Sequence, residues 1–243
     1  MKLSIVIPAF DESGKIGSDI KSACEFLQRK GFEGEIIVVD DGSEDETAEE
    51  AIKAGRRCYD PVELKVIRND HHRGKGNAIR SGMKQTTGDY VMFADSGNCV
   101  PYDNILRGLE LITSGQCEIA HGSRNLAGAE IKEDHGLYRH ICSELFHLFA
   151  VKVMKVPAEL TDTQCGFKIY RGDVARGLYG ECITDGFMFD IEIILRALKQ
   201  GYKIKEFPVY WTCDTDSRLS PAKSIRRILG ELLKIRHALK AEK

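Results

Sequence analysis

The chain has 243 residues, 42% of them hydrophobic and 30% charged, with a formal net charge of −2. That length can bury a large core, and the balanced charge excludes a general nucleic-acid binder, so any attraction for anions has to be local. Eight scattered cysteines (24, 58, 99, 117, 142, 165, 182, 213) form no CxxC pair, which suits neither a zinc site nor a disulfide scaffold and fits reduced thiols in a cytosolic protein.

LSIVI (3–7) is too short for a signal peptide and predicts a first strand, followed by a helix with its apolar stripe at Ile16, Ile20, Ala23 and Leu27. EIIVV (35–39) predicts a second strand ending on Asp40-Asp41-Gly42, with a helix from about Asp45. LKVI (64–67) predicts a third, and RGKGNA leads into a helix carrying Ile79 and Met83. DYVMFA (89–94) is the fourth, and Pro101 opens a helix through Ile112. CEIAHG (117–122) is the fifth. The second half predicts a helix from Tyr138 to Met154, another from Phe189 to about Leu198, and a late strand over 204–211. From Ser217 to Lys243 there are eight Lys/Arg against only Glu231 and Glu242. No window approaches the ~18 apolar residues that span a bilayer. Alternating strands and helices, with nearly continuous apolar strands, predict an α/β fold: a mostly parallel sheet covered on both faces. Ligands of such sheets bind beyond the carboxyl ends of the strands.

Informative residues cluster at those ends. Asp40-Asp41 follows a strand, and two adjacent carboxylates need compensation from a ligand or a cation. Helix capping accounts for Ser43, Asp45 and Thr47 but not for the Asp pair. The turn after the first strand is PAFDES rather than GxGxxG, which argues against a dinucleotide-dependent oxidoreductase. RGKGNAIRSG sets two cations among glycines at a helix start, an arrangement that accepts phosphate or simply packs a loop closely. Asp95 ends the fourth strand alone, as Asp95-Ser96-Gly97, although a metal on a diphosphate favours a second carboxylate.

SIVIPAFDE, IIVVDDGSEDET, RGKGNAIRSG, FADSGN, GSR, DTQCGFK and FDIEIILRA, in this order, resemble the inverting GT-A glycosyltransferases of family 2. Within that group the chain is most similar to dolichyl-phosphate β-glucosyltransferases and bacterial polyprenyl-phosphate relatives. The resemblance implies one Rossmann-like GT-A domain over 1–243. Its parts are a nucleotide-sugar half (1–124), an acceptor half (125–216) and a basic amphipathic tail (217–243). It implies nucleotide contacts from Pro8, Phe10, Glu12 and Asp41, with Lys75 screening the diphosphate. Asp95 matches the first Asp of the family's metal-binding D-x-D motif, and Gly97 stands at the second. Asp11 and Phe10 replace the family's usual Asn and Tyr. Asp162 is the candidate acceptor-side catalytic carboxylate, its alternative being a turn-capping role. Arg124, Arg139, Ser143 and Gln164 are the implied acceptor-binding residues, the first three as a phosphate cluster with Arg139 and Ser143 at i and i+4. Asp190 closes the far wall or is a buried structural carboxylate.

The implied reaction moves a hexose, glucose from UDP-glucose, onto a polyprenyl phosphate. Three readings compete for the lone Asp95. Mg²⁺ or Mn²⁺ binds through it with phosphates and water; Lys75, Arg73 and Arg218 neutralise the diphosphate without metal; or the scaffold binds nucleotide sugar without catalysis. A sugar nucleotidyltransferase lacks its Gly-rich basic loop here. SIRRILGELLKIRHALK is a basic amphipathic helix that suits a membrane surface or, through Ile228, Leu232 and Ile235, its own domain. A cytoplasmic enzyme held peripherally at the cytoplasmic membrane face is the expectation.

Overall fold

A computed structural model describes residues 1–56, 58, 61–132, 136–212 and 221–241, and in 136–143 and 221–225 the backbone only. Strand β1 (Lys2–Ala9) shows why its sequence is nearly continuously apolar. Leu3, Ile5 and Ile7 join one core cluster with Ile16, Ile20, Ala23 and Leu27 of helix α1 (Ser13–Lys30). Val6 points the other way, into a second cluster with Ala78, Ile79 and Met83 of α3 (Lys75–Met83). Period-2 geometry sends neighbouring side chains to opposite faces, so a strand covered on both sides needs apolar residues at nearly every position. Each fully buried aliphatic side chain is worth about 1.5–3 kcal/mol.

The seven-stranded sheet runs β3 (Val62–Arg68), β2 (Glu33–Asp40), β1, β4 (Tyr90–Ala94), β7 (Phe167–Arg171), β5 (Ile119–Ser123), β8 (Ile204–Pro208). All neighbours are parallel except β7, which lies antiparallel to both β4 and β5. The remaining helices are α2 (Thr47–Gly55), α4 (Ile105–Thr113) after a 3₁₀ turn at Tyr102–Asn104, α5 (Gly136–Lys152), α6 (Gly172–Glu181), α7 (Phe189–Lys199) and α8 (Pro221–Ala241). The late strand expected over 204–211 is two: β8 ends at Pro208, which has no N–H to continue the ladder, and β9 (Tyr210–Trp211) pairs with β6 (Glu130–Ile131).

Strand order reverses between β1 and β4, which places a crevice at their carboxyl ends. Because β7 is reversed, its first residues reach that same edge. A third cluster packs Ala150, Met154 and Leu160 against Ile191 and Ile194 of α7 and Leu232 and Ile235 of α8. The tail helix is therefore docked on the fold by one stripe.

Candidate active site

The loops after β1 and β2 are stitched together by backbone amides. Asp11 N–H donates to Ser43 Oγ at 2.9 Å, Glu12 N–H to Thr47 Oγ1 at 2.8 Å, and Ser13 N–H to Asp45 Oδ2 at 3.1 Å. Asp11 adopts φ 48°, a left-handed conformation that Asp and Asn tolerate best after glycine, which is the physical reason either residue serves there. The Asp pair draws its compensation from within the protein, fully at Asp41 and partly at Asp40, whose Oδ2 is buried without a hydrogen-bond partner. Asp40 accepts from Ser43 N–H at 2.9 Å and faces Arg68, whose Nε is 3.5 Å away. Asp41 accepts from Asn69 Nδ2 at 2.7 Å and from the Arg73 and Gly74 amides at 3.2 and 2.6 Å, with His72 Nδ1 at 2.8 Å. Asp41 thus shapes the glycine-rich loop that opens α3. Phe10 stacks on His72 with ring centroids 4.0 Å apart. Pro8 is buried inside β1, and the half-buried Glu12 pairs loosely with Lys15 at 3.8 Å.

Beyond β4, the Asp95 amide donates to Gly166 O at 2.9 Å, extending the β4–β7 pairing. Its Oδ1 lies 2.6 Å from Lys75 Nζ at the start of α3. A Cβ on Gly166 would overlap the Asp95 carboxylate, so glycine is required there for the close approach. Burial lowers the Lys75 pKa, but Asp95 and Asp190 outweigh it and the net shift is upward, which keeps the ammonium charged.

Gly97 adopts φ 97° and Asn98 φ 50°, so the loop where a second motif carboxylate would stand turns through left-handed backbone. Its Gly97 amide is held by both carboxylate oxygens of Asp19, at 3.0 and 2.9 Å, and Asn98 Nδ2 donates to Ser18 Oγ at 3.1 Å. The departure from D-x-D is a rebuilt, anchored turn. Gly97→Asp should therefore cost about 1–2 kcal/mol in stability from backbone strain and bring no metal-dependent gain in turnover. Thermal melts and a metal titration of activity check this, and a gain would refute it.

Arg124 and Asp162 meet in a bidentate pair, Nε–Oδ2 at 2.6 Å and Nη2–Oδ1 at 2.8 Å. The Arg124 amide adds a third bond to the same carboxylate at 3.1 Å. Burial pushes the Asp162 pKa up, but the guanidinium outweighs it and the carboxyl ends below its usual range. Asp162 is thereby a poor proton acceptor and a good orienting group, and its Arg124 stands over Trp211 at 5.5 Å. Glu206 on β8 fixes the segment, accepting from Thr161 N–H at 2.9 Å and Asp162 N–H at 2.8 Å. Gln164 Nε2 is buried with no hydrogen-bond partner in the protein. Lys168 and Asp190 form a buried ion pair in which Lys168 also donates to Thr163 O at 2.9 Å. The side chains of Arg139 and Ser143, and the whole of Arg218, lie outside the described residues.

Three participants escaped the sequence reading. Glu206 carries no local signal. His72 sits in the glycine-rich loop, NDHHRGKG, where a ring beside phosphate-binding geometry could have been singled out. Asp19 had the clearest signal: a carboxylate on the apolar Ile16–Ile20–Ala23 stripe of α1.

Among the described residues no three His, Cys, Asp or Glu side chains converge as a metal cage. Asp95 fits a narrower role. Its Oδ1 is engaged by Lys75 Nζ, its side chain is 38% exposed toward the crevice, and one carboxylate can hold Mg²⁺ or Mn²⁺ jointly with substrate phosphates and water.

Residues 4–178 match the family model described as "Glycosyl transferase family 2". The chain is 30% identical to the Homo sapiens dolichyl-phosphate β-glucosyltransferase, over 97% of this chain and 75% of the relative. It is 28% identical to the Saccharomyces cerevisiae protein of the same name, over 97% of this chain and 74% of the relative. Glucosyl-3-phosphoglycerate synthase from Mycobacterium tuberculosis, solved with Mn²⁺, UDP and glucosyl-3-phosphoglycerate, shares the fold. Its TM-score is 0.68 at 18% identity, over 96% of this chain and 79% of that one. Mannosyl-3-phosphoglycerate synthase from Rubrobacter xylanophilus gives 0.67 at 18%, over 100% and 75%.

Proposed function

The chain belongs to glycosyl transferase family 2, and on that premise we propose that it moves glucose from UDP-glucose onto a polyprenyl phosphate, with inversion at the sugar carbon. The observation that carries this reading is the Asp95–Lys75 pair at the mouth of the β1–β4 crevice, one cation and one carboxylate where a diphosphate would lie. The names of its relatives, dolichyl-phosphate β-glucosyltransferases, support glucose and a lipid phosphate as the two substrates.

In this reading the base stacks on Phe10, from which His72 withdraws, because 4.0 Å between centroids leaves no room for a third ring. Pro8, Glu12 and the loop organised by Asp41 line the nucleotide. Lys75 neutralises the negative charge that grows on the leaving diphosphate, an electrostatic contribution made stronger by partial burial. Asp95 would hold Mg²⁺ or Mn²⁺, which when bound supplies further neutralisation of the diphosphate. The acceptor phosphate oxygen is already anionic near neutral pH and attacks the anomeric carbon opposite the leaving group. No strong base is needed, which agrees with an Asp162 held ionised by Arg124. Arg124, Arg139 and Ser143 are assigned to the acceptor phosphate, and the unpartnered Gln164 Nε2 to an oxygen of sugar or acceptor.

A membrane surface fits as the place of reaction. No helix among the described residues is long and apolar enough to cross a membrane. The outward face of α8 exposes Leu229 and Leu233 beside Arg226, Arg236 and Lys240, the chemistry of a helix lying on anionic lipid. Incubation with labelled UDP-glucose, undecaprenyl phosphate and Mg²⁺ or Mn²⁺ should yield labelled lipid. Absence of transfer from every common nucleotide sugar would overturn the proposal.

A further inference from the structure

Asp19 belongs to α1, yet its carboxylate reaches across the crevice to the loop after β4. Both of its oxygens accept the Gly97 amide, at 3.0 and 2.9 Å, and the Asn98 amide adds to them. Ser18 beside it receives the Asn98 side chain at 3.1 Å. Gly97 and Asn98 are the two residues of that loop in left-handed conformation, and they begin two positions after Asp95. Asp19 itself is 1% exposed; burial is the largest influence on its carboxyl, the loop amides come next, and the charge of Lys15, one turn back on α1, is a smaller one.

We propose that Asp19 is a positioning residue for glycosyl transfer: its carboxylate holds the turn Ser96–Asn98 in left-handed backbone, and thereby sets Asp95 against Lys75 and the diphosphate. The inference rests on the glycosyltransferase reading of the site, but not on the identity of sugar or acceptor. A buried carboxylate that merely stabilised the fold would be paired with a cation or satisfied at low cost. This one is carried at a cost. Burial, offset only partly by the loop amides, pushes its pKa up to about 6 from 3.8. Glu12 raises it further, Lys15 opposes, and the Tyr102 hydroxyl is the remaining titratable neighbour. A folded-state pKa above the unfolded one means the protonated form is the more stable. The gain is complete below the unfolded value and is lost as pH rises through about 6. At neutral pH the enzyme therefore keeps a charge it would be more stable without.

Asp19→Asn keeps size and one acceptor but not the charge. At about pH 8 the variant, free of ligand, should melt at or above the wild-type temperature. Its kcat should fall about 10- to 100-fold, the scale of a misplaced catalytic group, with a smaller change in KM for the donor. Hydrogen exchange at the Gly97 and Asn98 amides should quicken. A melting temperature well below wild type with unchanged exchange in that loop would make Asp19 a structural residue and overturn the proposal. Unchanged kcat would do the same. If the wild type transferred no sugar, the glucosyl reading would fail, while melting and exchange would still decide the role of Asp19.

Discussion

Replacement of Asp95 by Asn is expected to lower transfer by at least about 10²-fold while leaving the fold intact. The side chain is 38% exposed, so its removal opens no cavity. What it removes is charge. Lys75 then loses the first of the two carboxylates that outweigh its burial and keeps only the second, Asp190. The ammonium should deprotonate at lower pH than in the wild type, so the alkaline limb of the rate profile moves down. Steady-state rates across pH, with a thermal melt to confirm folding, test both parts. A variant as fast as the wild type would remove Asp95 from the donor site.

The largest effect on stability is expected at Lys168. Its side chain and that of Asp190 are 1% and 4% exposed, and Lys168 also lies 5.6 Å from the Phe93 ring centroid. Lys168→Met strands Asp190 in the core, where burial already raises its pKa against the pull of Lys168 and Lys75. Losing one partner of a buried pair costs about 3–5 kcal/mol. At about 2–4 °C per kcal/mol for a chain of this size, that is a fall of roughly 6–20 °C in Tm. The double change Lys168→Met, Asp190→Leu should recover much of it, because the uncompensated charge is gone. Equal losses in single and double variants would show that packing, not charge, holds this point.

The sequence made the first half of the fold legible because its strands are apolar runs that end on carboxylates. Ile36 to Val39 and then Asp40-Asp41 say both that the strand is covered on two faces and where its ligand edge is. Strand β7 was not legible. Its five residues, FKIYR, hold a fully buried lysine whose partner lies 22 residues on. Nothing local shows that the strand runs backwards between β4 and β5. Helix α6 follows directly, without a turn signal between. The same limit applies to the site. Asp95 and Lys75 stand beside strand and helix ends and announce themselves. The sequence puts Arg124 and Asp162 in separate motifs, and the structure joins them across 38 residues. Such a pairing depends on where the chain returns, and composition does not encode that.

The reversed strand bears on the order in which the protein becomes itself during synthesis. Strands β1 to β4 are contiguous in the sheet and complete by Ala94, so this four-stranded part can assemble while the rest is still being made. It then waits with β4 as a bare edge. Strand β5 emerges next but has no neighbour among the earlier strands, since β7 and β8 alone flank it. Only when residues 166–171 leave the ribosome can Gly166 O take up the Asp95 amide and β7 knit the two halves. A nascent chain shorter than that has four paired strands but an unanchored Asp95, and an open edge for a chaperone to cover.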